Sequence, residues 1–544
     1  MKILYVNWAP LWRGAEVGGG VNIYSQSMAV KLSESGHRLF SISAGFAYDF
    51  KNRAYIKRGP DFMGVKNYEI FNAPNIAPGF FNYENPMQDV SEPVVEKLFD
   101  EFIKHIKPDI VHFHNIEGFS CHCIEISVRR GCKTLFSLHN YHPVCNQIYL
   151  LYKDRDICND FNNGYKCLDC IKPPSYSKEI MKRRIAFHVN RLPFGDRIWR
   201  KLQRIAGLAA GFSATQNVNR LLKKLSSDKP SGLPLFYQAI NQNKRDISDN
   251  RHILYGKRRK LIIESLNQAH MVHAVSDFVR DFYISQGVKS HLVTTCHIGN
   301  KMAEVSIGSV DSLLQDKGKR DCQNTGDLSE NKKKMAISYS EAINNGATRK
   351  PLKIIFLGIS SQPKGLPFLL ETLLSMDKHN SEMAGKGQQN IAEIKYNKIL
   401  KQISLHIHAR GVWELYHLIE PLSKKLSSIE VHDGYDFNNL PNILCGMNYG
   451  VVPPLWYDNA PQVVFEMMAM KVPVIGANIG GIPDFVKDMS NGILFNPGDR
   501  SDLASKISMV VNERALECQL RDNIKPMKTP AQHACELQRF YKEI

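Results

Sequence analysis

The chain has 544 residues, 43% of them hydrophobic and 10% aromatic, which is too long for one hydrophobic core, since domains usually stop growing at about 250 to 300 residues. No stretch reaches the roughly 20 uninterrupted apolar residues of a membrane-spanning helix, and the opening Met1–Asn7 run lacks the longer apolar region and small-residue cleavage site of a secretory signal. The net charge of +17 is uneven, with 21 Lys and Arg against 6 Asp and Glu in residues 171–265. Twelve cysteines in a chain of this length exclude a small disulfide scaffold, and without an export signal they are expected as reduced thiols or metal ligands in the cytoplasm.

In chain order, Lys2–Val6 reads as a first buried strand. It leads into Gly14, Gly18, Gly19 and Gly20, a helical pattern from Val21 to Ser35 and a second apolar run from Leu39 to Ile42. Asp109–His114 and Thr134–Leu138 read as further strands, the latter ending at His139-Asn140-Tyr141. Strands alternating with helices predict parallel sheets covered by helices, with functional groups at the carboxyl ends of the strands. Residues 300–350 are polar and charged, too poor in apolar side chains to offset the ordering of their backbone. They are expected as a linker or insertion.

The strand–turn–helix plan then begins again, with Leu352–Gly358, Lys364-Gly365 and a helix from Leu366 to Ser375. Ile403–Ile407, Ser428–Val431 and Val472–Ile475 continue it. The predicted architecture is α/β, with two Rossmann-like domains facing each other across a cleft. Residues 1–299 form the first, which holds the basic helical insertion 171–265, and residues 351–515 form the second. Residues 516–544 are expected as a C-terminal helix crossing back onto the first domain.

Several segments carry chemistry. Lys364 follows the first strand of the second half, where a cation can neutralise phosphate; taken alone, a Lys-Gly pair is more often an exposed turn. Asp458 and Glu466 stand eight positions apart in Trp456-Tyr457-Asp458-Asn459-Ala460-Pro461-Gln462-Val463-Val464-Phe465-Glu466, ahead of Pro473-Val474-Ile475 and Gly480-Gly481. An acid at a helix start can bind a ligand or simply complement the helix dipole. Cys145, Cys158, Cys167 and Cys170 form C-x12-C-x8-C-x2-C, which suits a tetrahedral structural zinc site pinning a loop. The alternative is four unrelated reduced thiols. The basic segment, with Lys182-Arg183-Arg184 and Lys257-Arg258-Arg259-Lys260 among apolar residues, reads either as an anionic-membrane surface or as a solvated helical face. No recognised nucleic-acid module accompanies the charge, so nucleic acid is not an expected partner.

The run from Gly450 to Asp484 resembles the donor-binding region of the retaining family 4 glycosyltransferases, the GT-B enzymes of glycosyl transferases group 1. That family's pattern is an acid, seven residues, a Glu at a helix start, a Pro-Val strand and a Gly-Gly turn. The resemblance implies that Glu466 accepts hydrogen bonds from the ribose of a nucleotide-sugar donor, that Asp458 meets the transferred sugar, and that Asn459 and the main-chain amides of Ala460 and Gln462 receive sugar or phosphate oxygens. It implies that Lys364 neutralises the donor diphosphate, that Gly19 and Gly20 approach donor and acceptor, and that His139 lies beside the donor sugar. The family usually has Glu where Asp458 stands, and Arg where Ile359 stands.

By the same resemblance the protein is a hexosyltransferase-type enzyme needing no cofactor for catalysis. It would act in polysaccharide or glycoconjugate biosynthesis, on a glycan or lipid-linked acceptor; the basic segment, read as a membrane surface, would place it in the cytoplasm at the inner face of the membrane. A catalytically silent glycan- or nucleotide-binding relative and a sugar-nucleotide epimerase of the same fold stay as alternatives.

Overall fold

The computed structural model describes residues 1–51, 53–172, 175–191, 194, 250–305, 350–376 and 398–544. Much of the basic insertion, including Arg197, Arg200, Lys201, Arg204, Lys223 and Lys224, lies outside the described residues, as do residues 306–349 of the expected linker.

Two parallel sheets organise the chain. The first contains β1 (Lys2–Val6), β2 (Arg38–Ala44), β3 (Tyr55–Arg58), β4 (Lys66–Phe71), β5 (Ile110–Phe113), β6 (Lys133–Leu138), β9 (Met271–Ala274) and β10 (Val293–Thr295). Its order is β10-β9-β6-β5-β1-β2-β4-β3, and only the edge strand β3 pairs antiparallel. Two short strands, β7 (Leu151–Tyr152) and β8 (Asp156–Ile157), form a separate hairpin in the loop after β6. The second sheet contains β11 (Leu352–Ile359), β12 (Ile403–Arg410), β13 (Ser428–His432), β14 (Tyr449–Val452), β15 (Val474–Ala477) and β16 (Gly492–Phe495), in the order β13-β12-β11-β14-β15-β16.

Strands buried on both faces account for the continuous apolar runs of β1, β5 and β11. In each sheet the first strand of the half is flanked by strands that diverge in sequence: β1 by β2 and β5, β11 by β12 and β14. That switch in order opens a crevice at the carboxyl ends, where ligands of doubly wound sheets bind. The glycine loop after β1, the Lys364 turn after β11 and the Asp458 loop after β14 all sit at such ends.

The final helix, Pro530–Glu543, packs on the first sheet. Ala534, Leu537 and Tyr541 are buried within the same core as Ile3, Val6 and Phe113. Its polar side chains are satisfied there too: the Tyr541 hydroxyl meets His112 Nδ1 at 2.7 Å and His533 Nε2 meets the Tyr24 hydroxyl at 2.9 Å. A Thr529–Gln532 capping box opens the helix by satisfying its first free amides.

The described part of the basic segment corrects the surface-charge reading for three of its cations. Arg258, on the helix Arg251–Leu266, is 1% exposed. Its Nε donates to Asp89 Oδ2 at 2.8 Å and its Nη2 to the His142 carbonyl at 2.7 Å. The adjoining charge holds the buried Asp89 carboxyl below its usual range against the opposing effect of burial. Arg259 lies 3.8 Å over the Phe161 ring and donates to the Val144 carbonyl. Arg183 donates to the carbonyls of Gly45 and Ala77. These guanidiniums turn inward toward main-chain carbonyls and a buried carboxylate, which accept their hydrogen bonds.

Candidate active site

The site is built from the loops that end the central strands. After β11 the chain makes one short turn, Gln362–Lys364, and Gly365 then starts the helix Leu366–Ser375. Gly365 has φ +79°, and a Cβ there would collide with the Pro453 carbonyl beyond β14. Only glycine lets the Lys364 turn lie so close to the neighbouring strand's end. The Leu455 amide donates to the Pro363 carbonyl at 2.9 Å and fastens the two loops together.

This closeness brings Lys364 and Asp458 into contact. Lys364 Nζ donates to Asp458 Oδ2 at 2.6 Å and lies 4.9 Å from the Trp456 ring centroid. The Asp458 loop is braced from behind by the Gly-Gly turn. Gly480, at φ +60°, would place a Cβ 2.5 Å from the Asp458 carbonyl oxygen, and the Gly481 amide donates to that oxygen at 2.8 Å.

Glu466 lies on the helix Gln462–Ala469, which starts directly after Pro461. It is 7% exposed and accepts from the Tyr435 hydroxyl at 3.1 Å. Burial pushes its carboxyl up to about 7, and the Tyr435 hydrogen bond opposes that rise. Between the two acids Asn459 is 4% exposed, and neither its Oδ1 nor its Nδ2 has a hydrogen-bond partner within the protein. Trp456 Nε1 is likewise buried and unpaired. Unpaired buried polar atoms are costly, and here they cluster around Asp458.

The first half reaches this loop from the other side. A Cβ on Gly20 would lie 3.6 Å from Gln462 Cγ, so the glycine loop faces the start of the Glu466 helix. The helix after β1 spans Gly19–Glu34, two residues earlier than the apolar pattern indicates. Asn22 explains the early start: its Nδ2 donates at 3.0 Å to the carbonyls of Pro10, Gly14 and Val17 and gathers the loop onto the helix. Tyr149 stands edge-on to Trp456 with ring centroids 5.0 Å apart, and the Tyr457 hydroxyl donates to Asn159 Oδ1 at 2.7 Å.

His139 is half-buried at the end of β6. Its Nε2 is 3.3 Å from His114 Nδ1 and its ring centroid is 4.8 Å from that of Tyr24. Burial and the neighbouring histidines His114, His273 and His533 hold it well below the usual imidazole range, so it is neutral at physiological pH. Its contacts are thus with the buried histidine cluster of the first domain.

Sequence spacing gives no sign of Tyr435 or Asn300, and it assigns no role to Trp456 or Glu117. Glu117 is buried and accepts from the Gly79 amide and from Asn140 Nδ2, fixing the turn after His139. Asn300 Nδ2 donates to Gln462 Oε1 at 2.8 Å. A buried polar residue after a strand end, as in Phe113-His114-Asn115-Ile116-Glu117, is the one signal that points to Glu117.

Cys145, Cys158, Cys167 and Cys170 line one small cavity with Tyr83 and Arg259. Among the described residues, the sets of ligand atoms that lie within 4.8 Å of one another are His273, Cys296 and His533, and Asp277, His297 and Asp484; the four cysteines share the cavity without their sulfurs being that close. Both sets are already engaged. His273 Nδ1 meets Ser137 Oγ at 2.8 Å and its Nε2 meets the Cys296 carbonyl at 2.7 Å. Arg280 pairs with Asp277 at 2.6 Å.

Residues 351–513 match the family of glycosyl transferases group 1. The uncharacterized glycosyltransferase MJ1178 of Methanocaldococcus jannaschii is 30% identical over 128 residues, 23% of this chain and 36% of that protein. The chain therefore spans about a third of the length of this curated relative. Among solved structures, Anabaena Alr3699/HepE in complex with UDP superposes with a TM-score of 0.53 at 11% identity, covering 100% of both chains. The sucrose-phosphate synthase of Thermosynechococcus elongatus also gives 0.53, at 12% identity, covering 100% of this chain and 98% of its own. The architecture is the GT-B fold. No helix among the described residues is long and apolar enough to cross a membrane.

Proposed function

We propose that this protein is a retaining glycosyltransferase of the family 4 type, which moves a sugar from a nucleotide-diphosphate sugar to a glycan or lipid-linked acceptor. The observation that carries this reading is the contact of Lys364 with Asp458 between the loops that end β11 and β14, with the buried Glu466 on the helix that follows the Asp458 loop. In an α/β crevice this supplies one cation for a diphosphate and two acids for hydroxyl groups. A carboxylate offers two acceptor oxygens to a vicinal diol, which suits Glu466 to a ribose. The binding of UDP by the HepE neighbour supports a uridine donor.

In this mechanism Glu466 holds the nucleoside, with Tyr435 fixing the carboxylate. Lys364 leaves Asp458 for the diphosphate and stabilises the negative charge that builds on it as the glycosidic bond breaks. Asp458 and the unpaired amide of Asn459 then orient the sugar hydroxyls. Catalysis rests on positioning and on leaving-group stabilisation, with the acceptor attacking from the face that the nucleotide leaves.

The exposed Lys257 and Lys260 of the helix Arg251–Leu266 give the basic segment a role in holding an acceptor at an anionic surface. Flotation with liposomes of anionic and of neutral lipid tests that part; equal behaviour on the two removes it.

The decisive measurement is donor hydrolysis and thermal shift against uridine, guanosine and adenosine diphosphate sugars, on wild type and Glu466→Gln. Stabilisation and turnover with one donor, both reduced in the variant, are expected. Absence of any response to all donors would overturn the enzyme reading in favour of a silent binding relative. Conversion of a donor to a different nucleotide sugar without an acceptor would point to an epimerase.

A further inference from the structure

The loop between β6 and the helix Tyr176–Val189 is buried as far as Leu151, and beyond it little holds the chain together by burial. Its hairpin β7–β8 has two residues per strand, and from Tyr152 to Lys172 only Gly164 is buried. Yet the chain brings Cys145, Cys158, Cys167 and Cys170 onto a single cavity of about 20 Å³, the space of one water or one ion. The geometry points to a structural site for a soft divalent cation of the zinc class, ligated by these four cysteines, that fixes this loop against the donor-site residues Trp456 and Tyr457.

Several observations fit a metal better than a chance meeting of thiols. Four cysteines around one small cavity offer a soft divalent cation a full set of sulfur ligands, and the metal displaces their protons as it binds. Zinc with four thiolates carries two net negative charges, and the Arg259 guanidinium interacts electrostatically with Cys145, Cys158 and Cys167. The frame around the site is already fixed: Tyr83 donates to the Cys167 carbonyl at 2.8 Å, and Arg259 donates to the carbonyl of Val144, next to Cys145.

Ligation exchanges weak contacts for strong ones. Cys170 Sγ now donates to the Leu151 carbonyl at 3.3 Å and Cys158 Sγ to that of Asp160 at 3.7 Å; both are released as the sulfurs turn to the metal. The competing His273, Cys296 and His533 set is a poorer host. Its imidazoles are committed to Ser137 and Tyr24, and the Lys528 ammonium lies 3.9 Å from Cys296 Sγ.

The consequence lies at the donor site. Tyr149 and Asn159, the residues that touch Trp456 and Tyr457, both fall inside the stretch bounded by these cysteines. A metal there holds the acceptor side of the crevice in place, whatever reaction the crevice carries out.

The test uses the full chain, purified without chelator and dialysed, with zinc counted by mass spectrometry and Co²⁺ exchanged in for spectroscopy. About one zinc per chain is expected, with the visible bands of tetrahedral thiolate-bound Co²⁺. Cys167→Ser with Cys170→Ser should abolish both, whereas Cys296→Ser and Cys445→Ser should keep them. Zinc removal should speed proteolytic cleavage within residues 145–170 by roughly tenfold. If the cysteine variants do not fold, the Co²⁺ spectrum of the wild type decides by itself. Failure of the wild type to take up zinc or cobalt overturns the proposal, as does metal lost from Cys296→Ser but kept in Cys167→Ser, or mass-spectrometric evidence that the four thiols are disulfides.

Discussion

Lys364 Nζ and Asp458 Oδ2 lie 2.6 Å apart, so the cation proposed for the donor phosphate is already paired with the acid proposed for the donor sugar. Lys364 is about a third exposed, and solvent screening keeps such a pair weak enough to exchange partners. Donor binding therefore competes with Asp458 for the ammonium. Lys364→Ala should lower turnover by about 10²-fold or more, the usual loss when a leaving-group stabiliser is removed. Asp458→Asn should instead tighten the binding of UDP alone while lowering sugar transfer. Calorimetry with UDP beside donor-hydrolysis rates checks both, and unchanged turnover in Lys364→Ala would remove its role.

Glu466 predicts a pH dependence with two opposite signs. Burial lifts its carboxyl from 4.5 to about 7, so between those values the folded chain binds more protons than the unfolded one. Stability then falls as pH rises through that window, by at most about 3 kcal/mol, and is flat above it. Glu466→Gln should flatten this part of the stability curve. Binding runs the other way, because the ionised carboxylate is the better acceptor for ribose hydroxyls. Affinity for UDP should rise from about pH 6 to about pH 8 in wild type and stay level in the variant, as chemical denaturation and calorimetry across pH will show.

Gly365 combines a positive φ with a neighbour that leaves no room for a Cβ. Gly365→Ala is expected to cost about 2 to 4 kcal/mol and to separate the Lys364 turn from the Asp458 loop. Unfolding in urea gives the cost. UDP affinity of the folded fraction should fall as well, because the two loops form the phosphate site together.

The buried pair of Arg258 and Asp89 makes a stability prediction far from the crevice. Arg258→Met leaves the carboxylate uncompensated next to His142 and should cost about 3 to 5 kcal/mol. Adding Asp89→Asn to it should restore part of the loss, since the stranded charge is then gone. A double-mutant cycle in denaturant measures the coupling.

Much of the architecture can be read from local pattern. The helix Leu366–Ser375 has the bounds that its apolar run and the preceding glycine predict, and β11 stands out by the apolar run Ile354–Leu357, buried in the middle of its sheet. Lys364, Asp458 and Glu466 are legible because each follows a strand or opens a helix within one short segment. Tyr435 is not, because it reaches Glu466 from a different loop, 31 positions away. Arg258 misleads for the same reason in stronger form. Its sequence neighbours make a charged helical face, and nothing near it announces a carboxylate 169 positions earlier.

Tyr541 and His533 satisfy His112 and Tyr24 inside the first sheet's core, so the first domain is discontinuous in sequence. Its fold is sealed by residues made only after the second sheet has been synthesised. A fragment ending near residue 299 would carry an open apolar groove and two stranded polar side chains where Ala534, Leu537 and Tyr541 belong. Separating the halves therefore needs a shortcut that carries Pro530–Glu543 along with the first sheet, and the second domain alone is the piece that a simple cut can release.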